Sequence, residues 1–152
     1  VRDTSEDLVA RARNYQSDAT VLGVQVQEMV DLDSGTETIL GMNRDPQFGP
    51  LLLFGLGGIF VEVLEDNTVR VAPVSETDAR EMLDDIDYAP LLRGARGRDP
   101  VDEAALVEAI QRLSQLVTDF PAIVELDINP LVATPEGVQA VDLRLTLDQE
   151  EL

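Results

Sequence analysis

The chain of 152 residues contains no cysteine, no histidine and no lysine. Without cysteine there is no disulfide framework, no thiolate nucleophile and no zinc–thiolate site. Without histidine there is no imidazole acid/base pair and no phosphohistidine formed on this chain. Without lysine no ammonium can clamp a phosphate, so these residues alone do not make a complete phosphoryl-transfer enzyme. No apolar run approaches membrane-spanning length, and no basic-then-apolar signal segment opens the chain.

Positive charge is scarce. Thirty residues are acidic and eleven basic, for a formal charge of −19. That balance argues against a nucleic-acid or anionic-membrane surface. All eleven basic residues are arginine. Self-repulsion of this size is tolerable when salt screens it, the Debye length falling to about 3 Å at 1 M. The acidity therefore reads as adaptation to a high-salt cytosol, with an acidic partner-binding surface as the alternative. Hydrophobic residues at 44 % and this length suit one core and leave little room for a second full domain.

What is present is organised as strands with interspersed helices. Residues 4–16 read as a capped helix. Val21–Val30 alternates as a strand, a turn follows at Asp31–Gly35, and a strand runs from Thr36 to Met42. Asp31-x-Asp33-x-Gly35 lacks the later Glu of a calcium loop and reads as a turn. Leu51–Phe54 and Ile59–Leu64 are apolar stretches separated by Gly55-Leu-Gly57-Gly58, and Val69–Val74 is a further strand. Ser75 caps a helix over 76–86, and Asp99-Pro100 opens a longer one over 101–117. Short turns between strands predict an α+β fold, a mostly antiparallel sheet with helices packed on it.

The chemistry concentrates near the C-terminus, in Glu125-Leu-Asp127-Ile-Asn129-Pro130. Alternation puts Glu125, Asp127 and Asn129 on one strand face, although an Asn followed by Pro also suits a strand end. Thr134-Pro-Glu-Gly137 suits a type I turn that folds Val138–Leu143 back antiparallel. Pairing of Ala133 with Val138 then sets Asn129 opposite Asp142 and Asp127 opposite Arg144. Opposed Cβ atoms lie about 4.5–5.5 Å apart, close enough for an amide oxygen and a carboxylate to share a hard cation. Magnesium is commonly held by one or two such oxygens plus nucleotide phosphates. The competing reading is a solvated face on an acid-rich chain.

Two further stretches carry alternatives. Gly55-x-Gly57-Gly58 lets the backbone approach another group, phosphate included, or marks an ordinary bulge; no helix follows it as in a dinucleotide fingerprint. Arg93-Gly-Ala-Arg96-Gly-Arg98 is suited to bidentate phosphate or carboxylate contacts, or ties down neighbouring acids.

Taken in order, the motifs resemble the ATP-grasp domain of NDP-forming acyl-CoA synthetases. They are Gln25-Val-Gln27-Glu28-Met29-Val30, Gly35-Thr-Glu37, Gly41 and Asp45-Pro-x-Phe48-Gly49-Pro50. Phe54-Gly55-Leu-Gly57-Gly58-Ile-Phe-Val-Glu62, Gly94-x-Arg96-Gly97 and Glu125-Leu-Asp127-Ile-Asn129-Pro130-Leu131 follow, then Ala-Val-Asp142. Order and spacing hold from about residue 20 to 145, nearly the whole chain. Within the family the likeness is to ADP-forming acetate–CoA ligases and, more distantly, to β subunits of succinyl-CoA synthetases.

The resemblance implies the reaction acyl-CoA + ADP + phosphate ⇌ acid + CoA + ATP, with Mg²⁺ and ATP/ADP as cofactors. It implies Asn129 and Asp142 as metal ligands, and Gln27, Glu28 and Met29 lining adenine through backbone contacts. Glu37 is expected to face the ribose or the metal, and Gly57 and Gly58 to pass close to the phosphates. Arg96 is expected at a phosphate or at the incoming phosphohistidine loop, and Asp127 as a supporting acid bonded to Arg144. Residues 1–19 are then a helical lead-in, 20–147 the C-terminal ATP-grasp lobe, and 148–152 an acidic tail. The phosphate-binding lysine and the phosphorylated histidine are expected from an N-terminal lobe and from CoA-binding domains or a partner subunit. Neither nucleic acid nor membrane is an expected partner. The alternatives are the ATP-grasp domain of a protein acetyltransferase and a non-catalytic acidic partner-binding domain.

Overall fold

The computed structural model describes residues 2–30, 35–58, 66–97 and 99–148, without the side chain of Arg96. The chain divides into two compact units, Val1–Val30 and Asp31–Leu152. In the first, α1 (Arg2–Tyr15) spans the expected helical stretch. The alternating segment 21–30 forms no strand. Alternation marks a chain able to be a strand, but a strand exists only where a neighbour completes its hydrogen bonds, and this unit has no second one among the described residues.

The second unit is an antiparallel sheet with helices on it. Its described strands are β1 (Thr36–Asp45), β2 (Gly49–Leu56), β3 (Asn67–Val71), β4 (Ile123–Thr134), β5 (Gly137–Ala140) and β6 (Leu143–Leu147). The sheet order is β3-β2-β1-β4-β5, with β6 also pairing β4. The expected turn at 31–34 and the Ile59–Leu64 stretch, Glu62 included, lie outside the described residues, as do Arg98 and the last four residues.

Alternation along each strand decides what each face carries. Leu40, Met42, Leu52, Phe54, Leu56, Leu126, Leu131 and Ala133 share one face and join a single buried cluster with α2 (Glu76–Asp84) and α3 (Glu103–Asp119). The helices contribute Ala79, Met82 and Leu83, and Leu106, Val107, Ile110, Leu113 and Val117. Their apolar residues recur at three- and four-residue spacing, one stripe per helix. Ser75 caps α2 as expected, in a reciprocal box with Asp78: Asp78 N–H donates to Ser75 Oγ (3.2 Å) and Ser75 N–H to Asp78 Oδ2 (2.9 Å). The cap of α3 is Asp102, which accepts from Ala105 N–H at 3.0 Å, so that helix starts later than Asp99-Pro100 suggested.

Asp66 is the buried polar tie beneath α2. Its carboxylate accepts from the backbone N–H groups of Asp87 (2.7 Å) and Tyr88 (3.0 Å). Burying a carboxylate is tolerable because both oxygens are satisfied. Among the described residues no helix is long and apolar enough to cross a membrane.

Candidate nucleotide and metal site

The face of the sheet away from α2 and α3 gathers most of the residues singled out from sequence. The register runs Ala133↔Val138, Val132↔Gln139 and Leu131↔Ala140 on β5, then Ile128↔Leu143 and Asp127↔Arg144 on β6. β5 and β6 are thus one returning strand, interrupted at Val141-Asp142. The expected register holds through the interruption. Asn129 N–H donates to Asp142 O at 3.2 Å, and Val141 N–H to Pro130 O at 3.0 Å. Asn129 and Asp142 therefore stand opposite each other.

Pro130 does not end the strand. On the other side of β4 the register shifts between Thr38↔Leu131 and Leu40↔Ile128. Two residues, Asn129 and Pro130, there oppose the single Ile39. This is a β-bulge, the place where a sheet absorbs a residue with no N–H to donate. Thr38, fully buried, braces the bulge by donating its hydroxyl to Leu131 O at 2.7 Å. An Asn-Pro pair in the middle of an alternating run was the available signal for it. Bulges re-aim side chains, and here the side chain concerned is Asn129.

Asp142 is locally oriented: Leu143 N–H donates to its Oδ1 at 2.9 Å. Its second carboxylate oxygen and the side-chain amide of Asn129 have no hydrogen-bond partner among the described residues, and both residues are exposed. No group of three or more Asp or Glu side chains among the described residues could hold a metal. An Asn–Asp pair offers two hard oxygens, a donor set that suits Mg²⁺ retaining water and phosphate ligands rather than an all-protein cage. Glu125 is drawn sideways, accepting from Thr146 Oγ1 at 3.2 Å.

Glu37 reaches the same face from β1 and brings the glycine loop with it. Gly57 N–H donates to Glu37 O at 2.7 Å. A Cβ added at Gly57 would meet the Glu37 backbone carbon at 3.0 Å and its oxygen at 3.1 Å. Gly58 has φ +65°, and a Cβ there would lie 3.5 Å from Glu37 Oε2. The two glycines thus let the chain turn directly over Glu37. The register of β1 with β2 is regular through Gly55, so these glycines mark a tight turn and not a bulge, and the space they leave adjoins a carboxylate.

One expectation needs correction, and one alternative is decided. Asp127 and Arg144 oppose each other, yet form no ion pair among the described residues. A Cβ at Gly41 would lie 3.7 Å from Asp127 Oδ1, so the carboxylate leans toward β1 and away from β6. Arg93 is a tie between helices: it pairs with Asp84 and, at 2.9 Å, with Glu103. These two carboxylates hold its guanidinium far above its ordinary pKa. Arg96 lies in the short helical turn Ala95–Gly97. Gln27, Glu28 and Met29 belong to the first unit and have no regular secondary structure.

A family model described as an ATP-grasp domain matches residues 1–147. The chain belongs to the ATP-grasp family. The β subunit of acetate–CoA ligase (ADP-forming) I from Pyrococcus furiosus is 47 % identical over 146 residues, which cover 96 % of this chain and 62 % of that subunit. A solved structure of Ca. Korarchaeum cryptofilum dinucleotide-forming acetyl-coenzyme A synthetase 1, in complex with coenzyme A, Ca-AMPCP and HgCl⁺, superposes with a TM-score of 0.86 at 39 % identity. It covers 97 % of this ATP-grasp chain and 63 % of its own. A second structure of that synthetase, with coenzyme A and Mg-AMPPCP, has its phosphohistidine segment pointing towards the nucleotide binding site. It matches at TM-score 0.73 and 46 % identity over 75 % of this chain and 54 % of its own. The chain therefore spans about three fifths of the length of these relatives.

Proposed function

We propose that this chain is the second lobe of the ATP-grasp module of an ADP-forming acyl-CoA synthetase. It contributes metal and nucleotide contacts to the interconversion of acyl-CoA, ADP and phosphate with acid, CoA and ATP. The observation that carries the reading is the opposition of Asn129 and Asp142 across the bulged strand pair, each with an uncommitted oxygen. The Mg-AMPPCP bound by a 46 % identical relative supports it.

In this reading Asn129 and Asp142 hold Mg²⁺, which when bound offsets phosphate charge. Glu37 faces the ribose or the metal, and Gly57 and Gly58 give the phosphates a close backbone approach. Gln27, Glu28 and Met29 line adenine through their backbones, and Arg96 meets a phosphate or an incoming phosphohistidine segment. Residues 20–147 form the lobe, 1–19 the lead-in and 148–152 an acidic tail. The N-terminal lobe and the CoA-binding domains or subunit bring the lysine and histidine that this sequence lacks.

Titration with Mg-ADP tests the metal pair. Wild type binds, and Asp142→Ala abolishes what binding there is; equal binding by both overturns the assignment. The 152-residue chain alone shows no ligase turnover, and acetyl-CoA-dependent ATP formation by it would sink the half-site reading. We also read the charge of −19, balanced by arginine alone, as adaptation to a high-salt cytosol. Its melting temperature then rises as KCl goes from roughly 0.1 M to 1 M, where the Debye length shrinks from about 10 to 3 Å. A flat or falling trend removes that reading.

A further inference from the structure

We propose that Arg144 is a phosphate-binding residue of this lobe, its guanidinium taking an oxygen of the terminal phosphate of the metal-bound nucleotide. The proposal rests on the reading of Asn129 and Asp142 as the metal pair.

Arg144 differs from the other arginines of its unit in what it does not do. Six arginines of the unit Asp31–Leu152 have described side chains, and five of them are committed. Arg70, Arg80, Arg93 and Arg112 pair with carboxylates. Arg44 donates to the carbonyls of Val117 (2.8 Å) and Ile123 (3.0 Å). Of these six, Arg144 alone has neither ion pair nor hydrogen bond among the described residues. In a chain with thirty acids, an arginine of the sheet unit with no partner at all stands apart from its neighbours.

Arg144 also stands close to the metal pair. Its cross-strand neighbour Asp127 has an oxygen within ordinary contact distance of the space over Gly41, on the β1 side, leaving the guanidinium unclaimed. Asn129 and Asp142 lie two positions further along the same face, Asp142 on the same returning strand and Asn129 diagonally across. Diagonal neighbours are about 7–8 Å apart, a span a long side chain crosses. A phosphate oxygen bound to a cation between Asn129 and Asp142 would sit at the end of that reach. Guanidinium suits the task because its planar fork donates two parallel hydrogen bonds to phosphate.

The test uses Arg144→Gln and Arg144→Lys in the full protein that carries this lobe. Calorimetric titration compares Mg-ADP with adenosine, and thermal melts report on folding. Arg144→Gln is expected to weaken Mg-ADP by roughly ten- to a hundredfold, the scale of one charge-assisted hydrogen bond. Adenosine binding and the melting temperature stay as in wild type, and Arg144→Lys recovers part of the loss. Unchanged Mg-ADP affinity in Arg144→Gln, while Asp142→Ala still loses binding, overturns this proposal and leaves the metal pair standing. Unchanged affinity in both variants overturns the metal pair and this proposal together. Equal losses for Mg-ADP and adenosine, or a lowered melting temperature, assign Arg144 a structural role instead. So does an Asp127→Asn variant that reproduces the whole loss with the double variant adding nothing.

Discussion

The two faces of one sheet obey different rules. On the face under α2 and α3, every strand residue pointing inward is apolar or satisfied, and Leu52 and Phe54 are wholly buried. On the other face the same strands carry Glu37, Asp127, Asn129 and Arg144, with glycines at positions 41 and 55, and Asp142 stands beside them in the break between β5 and β6. A two-residue period lets one strand serve both purposes, since outside the bulge at Asn129-Pro130 successive residues point to opposite faces. Ile39 and Val132 are buried on this second face, so stability and ligand chemistry separate only at its exposed positions.

The sharpest way to break that separation is at Phe54. Phe54→Ala should cost about 3–5 kcal/mol, measured by denaturant unfolding, and should affect nucleotide binding only through the unfolded fraction. A loss under about 1 kcal/mol would mean that the helical face is not the core. Gly57→Val tests whether the second face is free of packing demands. A Cβ at 3.0 Å from the Glu37 backbone forces the loop apart, and overpacking of this kind costs about 1–3 kcal/mol. Here the comparison should bend, because a residue of the ligand face proves structural.

Asp142→Ala should separate the two properties most cleanly. Its Mg-ADP affinity is expected to fall by at least tenfold, about 1.4 kcal/mol, while unfolding stability moves by no more than about 0.5 kcal/mol, as for an exposed side chain. A larger stability loss would join the faces after all.

The smallest effect belongs to the helix cap. Ser75→Ala should destabilise by about 1 kcal/mol. Hydrogen bonds from the Ser75 hydroxyl and backbone N–H hold the Asp78 carboxyl below the usual carboxylate range. A group with a depressed folded pKa stabilises the fold above its unfolded pKa, and that contribution is lost as pH falls through the folded value. The gap between wild type and Ser75→Ala should accordingly narrow in acid. A gap that stays constant to the acid limit would show that the carboxylate is not the partner.

The hairpin of β4 and β5 was legible because a turn and a period are local. Thr134-Pro-Glu-Gly137 sets the pairing of Ala133 with Val138, and alternation carries the register to Asn129 and Asp142 without further information. Helix α2 was legible for the same reason, from Ser75 and the spacing of Ala79, Met82 and Leu83. The strand expected at 21–30 failed because pairing requires a neighbour that no local pattern supplies. Arg93 stays open in the sequence between phosphate and acid partners on similar grounds: its carboxylates, Asp84 and Glu103, come from two helices brought together only by packing.

The sequence by itself thus determined the charge and the missing lysine and histidine, by composition, and the pairing of Asn129 with Asp142, by a local turn and a two-residue period. The family was legible in the resemblance of its motifs, taken in order. Tertiary structure decided the bulge that carries Asn129, the lean of Asp127 toward Gly41 and the freedom of Arg144. Each depends on which strand lies on the far side of β4, and that neighbour, β1, is some ninety residues away in the chain.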